Sequence, residues 1–344
     1  MNIKVAHLIT SNNKSGGNLY ESYLQALNDT FEINHIVLNL NRNKIKLLKA
    51  IEYFWTLYRF SRKEYLKYDI SIRNEQGCFF MDKTKINIVI FHHYDPHPNN
   101  LLIRLYQKIL YKNLLKNLPK IDMLVVVSEY WQEYFKKIGF TKTTIIYNPF
   151  EIEKYALHNL DDLEKFKYQY KLNKKPIVYI GNAQAIKGAH KVYETLKFLD
   201  VHLVTSGISQ ISLPTINLDL SFKQYTMLLQ ISSVVVLMSQ IKEGWNRVAH
   251  EAILCHTPVI GSGSGGMNEL LTKSDQQICN DWSKLEEMVI ETLKGYSKNE
   301  VGYNYAKQFS IDKFKLDWIK LINELHCLKM KAMDTKVLHS KSHT

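Results

Sequence analysis

The stretch EGWNRVAHEAILCHTPVIGSGSGG, residues 243–266, decides how the chain folds. It follows an apolar, β-branched run, SVVVLM (233–238), that reads as a buried strand. Glu243 and Gly244 then sit in a loop, NRVAHEAIL carries the apolar spacing of a helix, and TPVIGS returns as a strand before the turn Gly261-Ser262-Gly263-Ser264-Gly265-Gly266. Strand, loop, helix and strand in this order make a βαβ unit. Its loop lies at the carboxyl end of a strand, where open parallel sheets bind ligands. Two carboxylates share the unit: Glu243 in the loop, and Glu251 about two helical turns along. A carboxylate accepts hydrogen bonds on both oxygens, which suits the hydroxyl groups of a sugar. A bare pair of glutamates at this spacing is common on exposed helices. Glu-Gly-aromatic at a strand end, followed by Glu-Ala, Thr-Pro-Val-Ile and Gly-Gly, is specific.

The same alternation extends outward in both directions. Upstream come PIVYIGN, the helical KGAHKVYETLKFL, VHLVTS and the helical FKQYTMLLQ. Earlier still, VAHLIT, GNLYESYLQAL, INHIVL, INIVIF, LLIRLYQKILYKNLLKNL, MLVVVS, YWQEYFKKIG and TTIIY repeat the pattern. It breaks at Asn148-Pro149, a turn signal, and a polar stretch runs from Glu151 to Lys175. The expected fold is therefore α/β, with a doubly wound parallel sheet in each of two domains. Residues 1–149 form the first and 150–309 the second. A helix over 310–330 starts at the N-cap candidate Ser310 and is expected to pack back on the first domain through Phe314, Trp318, Leu321, Ile322 and Leu325. Residues 331–344 read as a loose tail.

Composition bounds the rest. The 344 residues are too many for one ordinary core and suit two domains of about 150–170 residues. Hydrophobic residues make up 45% and charged residues 23%, which excludes disordered and fibrous classes. No apolar run reaches the ~20 residues of a bilayer crossing, and MNIKVAHLIT lacks the cleavage region of a signal peptide. Cys78, Cys255, Cys279 and Cys327 are too scattered for a disulfide scaffold or a cysteine zinc site, which fits a cytoplasmic protein. The net charge of +12 is uneven: residues 1–150 hold 21 basic against 12 acidic side chains, and the remainder 24 against 21. A one-sided excess points to an anionic partner or to simple solubility.

Three further loops after strands could carry chemistry. Ser11 to Gly17 places Gly16 and Gly17 at a helix start, where backbone N–H groups approach an anion. It is neither a dinucleotide fingerprint nor a Walker loop. His92-His93-Tyr94-Asp95-Pro96-His97-Pro98 has three histidines, but not at a recognised metal-ligand spacing, so it reads as a metal site, a substrate-facing loop or plain surface. Gly181-Asn182 with Lys187-Gly188 offers a phosphate-directed lysine at a helix start.

Taken together, these residues resemble retaining glycosyltransferases of the GT-B fold, family GT4 (glycosyl transferases group 1). Residues 243–266 resemble that family's nucleotide-binding segment. GNAQAIKG resembles its phosphate segment, and TTIIYNPFEIEKY its interdomain strand and turn. The Gly-Gly and histidine loops fall in matching places. The resemblance implies two Rossmann-like domains facing each other across a cleft, and transfer of a sugar with retained configuration from a UDP- or GDP-sugar, the leaving phosphate helping to deprotonate the acceptor. By the same resemblance Glu251 binds the ribose hydroxyls and Glu243 the donor sugar. Backbone N–H groups around Trp245, Asn246 and Arg247 hold the sugar and diphosphate, with Val248 near the phosphate, and Lys187 neutralises the diphosphate. Gly16 and Gly17 close on the phosphates from the other domain, and His93, with His92 as the alternative, lies by the transferred sugar. The family usually has arginine where Asn182 stands, glycine at Asn246, and a small or apolar residue at Arg247. Arg247 could therefore restore the charge missing at position 182, or point to solvent.

No Asp-x-Asp pair is present for a divalent cation, so lysine, arginine and helix-terminal N–H groups are expected to stabilise the leaving diphosphate, with no cofactor and no metal. The expected acceptor is a glycan or lipid-linked glycan of bacterial-type surface polysaccharide synthesis. In Asn41–Tyr68, basic residues including Arg59, Arg62 and Lys63 interleave with aromatics at helical spacing, and Arg104, Lys108, Lys112, Lys116 and Lys120 form a ridge every four residues. Such helices lie on an anionic membrane surface, here the inner face of the plasma membrane, or are surface helices with a packed apolar face and a solvated basic one. Two other activities compete: a GT-B nucleotide-sugar epimerase or phosphorylase, and nucleic-acid binding. The last explains the charge but not the paired glutamates, and no nucleic-acid-binding signature is present.

Overall fold

The computed structural model describes residues 3–9, 16–38, 46–82, 85–96, 101–295 and 300–341. The chain divides into two compact units. One comprises residues 1–127, 132–149 and 311–344; the other comprises 128–131 and 150–310.

In the first unit, β1 (Lys4–Ile9), β2 (Glu32–Val37), β3 (Ile70–Asn74), β4 (Ile86–Phe91), β5 (Met123–Val126) and β6 (Thr143–Ile145) form one sheet ordered β2-β1-β3-β4-β5-β6. Every pairing is parallel. Both β3 and β4 are buried along their whole length, as expected of strands covered on both faces. The helices are α1 (Gly16–Ser22), α2 (Lys46–Arg59), α3 (Leu101–Asn117) and most of α4 (Glu129–Lys137).

The second unit orders its strands β12-β11-β10-β7-β8-β9, again all parallel. Here β7 is Ile177–Tyr179, β8 His202–Ser206, β9 Ile216–Leu218, β10 Val234–Leu237, β11 Val259–Gly261 and β12 Gln277–Ile278. Its helices are α5 (Leu160–Gln169), α6 (Ala189–Leu196), α7 (Phe222–Ile231), α8 (Arg247–Leu254), α9 (Gly266–Lys273), α10 (Leu285–Lys294) and α11 (Glu300–Ala306). Val178, Val234, Val236 and Ile260 of the sheet pack against Val192 and Leu196 of α6 and Leu285 and Val289 of α10. Strand order reverses between β7 and β10, which makes the loops after these two strands the binding crevice of a doubly wound sheet.

Two differences from the sequence reading stand out. The polar stretch 151–175, to which the sequence reading assigned no element, holds α5, whose Asn159 side chain accepts from the Asp162 N–H at 2.7 Å as an N-cap. The final helix, α12 (Ile311–Lys341), runs well past 330 into the residues expected to be loose. Nothing in KMKAMDTKVLHSK is glycine or proline, and its lysines, methionines and leucine are good helix formers. Within the first unit Phe314 meets the Tyr20 ring edge to face at 5.1 Å, and Trp318 is fully buried. Within the second unit the Phe150 N–H donates to the Phe309 carbonyl at 2.8 Å, which brings the two ends of residues 150–310 together.

Candidate functional site

In the second unit the loops after β7 and β10 bring together residues far apart in sequence. After β7 the chain turns through Gly181 and reaches Lys187, and Gly188 then takes φ 73° to start α6. A Cβ at Gly188 would lie 2.3 Å from the Met238 carbonyl, so only glycine lets this turn approach the end of β10. The loop after β10 carries Glu243, which is buried. Its carboxylate accepts from Lys187 Nζ at 2.6 Å. Its backbone is tied to the glycine turn after β11: the Glu243 N–H donates to the Ser264 carbonyl at 3.2 Å, and the Gly266 N–H to the Glu243 carbonyl at 2.8 Å. A Cβ at Gly266 would sit 2.0 Å from the Gly244 carbonyl. The two glycine positions hold Glu243 at the crevice by close backbone approach.

Helix α8 starts directly behind. The Asn246 side chain accepts from the Ala249 N–H at 2.9 Å and caps it. The Trp245 side chain turns inward. Its indole N–H donates to His250 Nδ1 at 3.1 Å, and His250 Nε2 lies 3.0 Å from the Ala306 carbonyl. Nδ1 is thus the acceptor and Nε2 carries the proton, which fixes a neutral tautomer. Burial drives the His250 pKa down to about 3, against the pull of the Ala306 carbonyl. The Trp245 and Asn246 side chains are thus both engaged within the fold. Val248 is half-buried in the first turn.

Glu251 is buried on α8. Tyr225 of α7 donates to Oε2 at 2.8 Å, and Tyr155 to Oε1 at 3.3 Å. Arg247, one turn back, lies 3.7 Å from Oε1. Burial raises the Glu251 pKa; Arg247 opposes most strongly, then the two tyrosines. Arg247 does not point to solvent: its guanidinium stacks over Phe150 at 4.2 Å, and its side chain is only 13% exposed. Sequence reading missed Tyr225, Tyr155 and Phe150. Tyr225 looks like any residue of a helix stripe, and only its meeting with Glu251 across 26 residues marks it. Glu269, just beyond the glycine turn, is used structurally: it accepts from the Glu129 N–H at 2.7 Å and from Lys273 at 3.1 Å.

The first unit presents a separate group. Residues 10–15 of the Gly-Gly loop and 97–100 of the histidine loop lie outside the described residues. Helix α1 begins at Gly16, and a Cβ on Gly17 would lie 2.9 Å from His92 Cδ2, so the glycine makes room for the imidazole. His93 is exposed and His92 largely covered, which makes His93 the more accessible of the two. Below them Glu21 accepts from Asn74 Nδ2 at 2.9 Å and lies 3.7 Å from His7 and 3.8 Å from His92. Burial alone would raise its pKa, but the two imidazoles outweigh it and bring Glu21 to about 2. Among the described residues no group of three histidine, cysteine, aspartate or glutamate side chains could hold a metal ion.

Residues 161–309 match the model of a family described as Glycosyl transferases group 1. No curated protein matches the chain in sequence. Among solved structures, that of Anabaena Alr3699/HepE in complex with UDP-glucose is similar over 94% of this chain and 100% of that one, with 16% identity and a TM-score of 0.73. A sucrose-phosphate synthase from Thermosynechococcus elongatus covers 95% of this chain and 100% of its own at 15% identity, TM-score 0.75. WaaG, a glycosyltransferase involved in lipopolysaccharide biosynthesis, covers 92% and 99% at 11% identity, TM-score 0.69.

Proposed function

We propose that this chain, on the GT-B fold and with a second unit that matches group 1 glycosyl transferases, is a retaining enzyme that moves a sugar from a UDP- or GDP-sugar to a glycan or lipid-linked glycan at the inner face of the plasma membrane. The observation that carries this reading is the convergence, at the strand-order reversal of the second sheet, of Lys187, Glu243 and the start of α8. Each has a use in such a transfer. Glu251, oriented by Tyr225 and Tyr155, offers a fixed carboxylate to the ribose hydroxyls. Glu243 addresses the sugar, and its partner Lys187 is a cation beside the departing diphosphate, whose growing charge is the main barrier to stabilise. The first-turn N–H groups of α8 add the positive end of a helix dipole. In the first unit Gly16, Gly17 and His93 serve the phosphates and the transferred sugar, and Glu21 holds His92 behind them. HepE was solved with UDP-glucose, and WaaG acts in lipopolysaccharide biosynthesis; both support, for this chain, a nucleotide-sugar donor and a lipid-linked acceptor.

Thermal unfolding with UDP, GDP and ADP tests the donor. One nucleotide is expected to raise the melting temperature clearly above the others, as ligand binding to the native state requires. No shift with any of the three overturns the nucleotide-sugar reading.

A further inference from the structure

Helices α2 and α3 of the first unit both lie against the turn at residues 75–78. Tyr53 of α2 donates to the Gln76 carbonyl at 2.6 Å, and α3 packs on the same turn. A surface helix normally turns its apolar stripe inward. These two do so only in part. On α2, Leu57 is buried, but Ile51 is 57% exposed and Trp55 64%. On α3, Leu110 and Leu114 are buried, while Leu101 is 74% exposed and Leu105 55%, with Ile109 also exposed. The loop after the turn adds exposed Phe80, whose ring meets Tyr58 edge to face at 5.5 Å.

Cations border this apolar surface. Arg59, Arg62, Lys63 and Lys67 follow Trp55, and Arg104, Lys108 and Lys112 alternate with the leucines of α3; all are exposed. Helix α3 contains no acidic residue; α2 has Glu52 and, just past its end, Glu64, which pairs with Arg59 at 3.1 Å. A protein partner with an apolar face would match the leucines but not the excess of cations around them. A bilayer with anionic headgroups matches both, because aromatics and long basic side chains settle at the headgroup level while apolar side chains enter the acyl boundary.

We propose that the α2–α3 face is a docking surface for an anionic lipid bilayer, into which Ile51, Trp55, Leu101, Leu105 and Ile109 insert. This deepens the membrane part of the function proposed above and rests on it. An electrostatic attachment alone releases in high salt. An inserted face keeps a salt-resistant part, since the burial of apolar surface is not screened by ions.

The test is flotation of the full chain with vesicles of phosphatidylcholine alone and of phosphatidylcholine with phosphatidylglycerol, in low salt and at about 1 M salt, where the screening length is ~3 Å. Binding is expected to the anionic vesicles and to persist in part at high salt. Trp55→Ser with Leu105→Ser should lower the high-salt partition roughly tenfold or more, while leaving the melting temperature unchanged because both residues are exposed. Arg59→Glu with Arg62→Glu should lower only the low-salt binding. Complete release of the wild type at high salt overturns insertion, as does equal high-salt binding by the serine variant. A concentration-dependent dimer that the serine variant abolishes assigns the face to a second copy and overturns the lipid reading. Transfer to a soluble acceptor, measured in parallel, reports on the transferase reading independently of all these outcomes.

Discussion

Lys187 Nζ lies 2.6 Å from Glu243 Oε1, and this contact joins the loops of the two neighbouring strands, β7 and β10, at which the second sheet reverses its order. Glu243 is almost wholly covered, whereas Lys187 keeps 35% of its side chain exposed. A carboxylate so covered needs its cation, and in the proposed transfer that cation is held in place for an incoming diphosphate. Lys187→Ala and Glu243→Ala are each expected to lower kcat/KM by roughly 10- to 150-fold, the loss of a hydrogen bond to a charged group at about 1.5–3 kcal/mol. The double variant should be clearly less damaging than the two effects added, because the residues act on each other. Strict additivity in a double-mutant cycle would show that the pair does not function as one.

The tyrosines around Glu251 predict a graded series. Glu251→Ala should reduce transfer at least tenfold while the protein stays folded. Tyr225→Phe removes the 2.8 Å bond and Tyr155→Phe the 3.3 Å one. Both should raise the dissociation constant for the nucleotide, Tyr225→Phe more so, with kcat changed less than KM. Calorimetric titration of the preferred nucleoside diphosphate reads this directly, and the reverse order would contradict the assigned geometry.

Arg247 is a shared cation: it opposes the burial that raises the Glu251 pKa, and it sits at the start of the helix where a diphosphate is expected. Arg247→Ala should weaken nucleoside diphosphate binding by roughly 1.5–3 kcal/mol. Adding Asn182→Arg should recover part of it if Arg247 supplies the charge missing at 182. Without Arg247 the Glu251 pKa rises further, so the variant's binding should fall off at a higher pH than the wild type's as the solution is acidified. An unchanged affinity removes the charge-relocation idea.

His250 supplies a pH dependence with a definite sign. Its pKa is about 3 when folded, against 6.5 for the free side chain, so the unfolded chain binds more protons between these values. The stability it contributes is complete above 6.5 and is lost as pH falls from there toward 3. His250→Phe keeps a ring beside Phe150 but loses two hydrogen bonds. It should cost about 1–3 kcal/mol at neutral pH and flatten the acid limb of a plot of melting temperature against pH. An acid limb as steep as the wild type's would count against the assignment.

Metal independence is expected because in the proposed site the leaving diphosphate would meet lysine, arginine and helix-terminal N–H groups rather than a carboxylate cluster. Transfer should survive excess EDTA. Loss of transfer that Mn²⁺ or Mg²⁺ restores would reverse this.

Residues 243–266 determined much by themselves. Strand, helix and glycine-turn signals are local, so a doubly wound sheet and the loops at its strand ends follow from periodicity and from where glycine is tolerated. Glu243 and Lys187 were legible as candidates because each stands in a loop or helix start that such a sheet turns toward its crevice, and Glu251 because it follows Glu243 on the helix behind that loop. What the tertiary structure alone decided are relationships between distant segments. The Lys187–Glu243 contact spans 56 residues, and Tyr225 and Tyr155 converge on Glu251 from two other elements. Trp245, whose backbone the resemblance singled out, turns its side chain inward because His250 and Phe309 offer it a partner and a packing surface that no local pattern encodes. The apolar stripes of α2 and α3 show the same division. Their periodicity is written in the sequence, but whether a stripe is covered depends on which elements the topology brings against it, and around Trp55 and Leu105 it leaves them exposed.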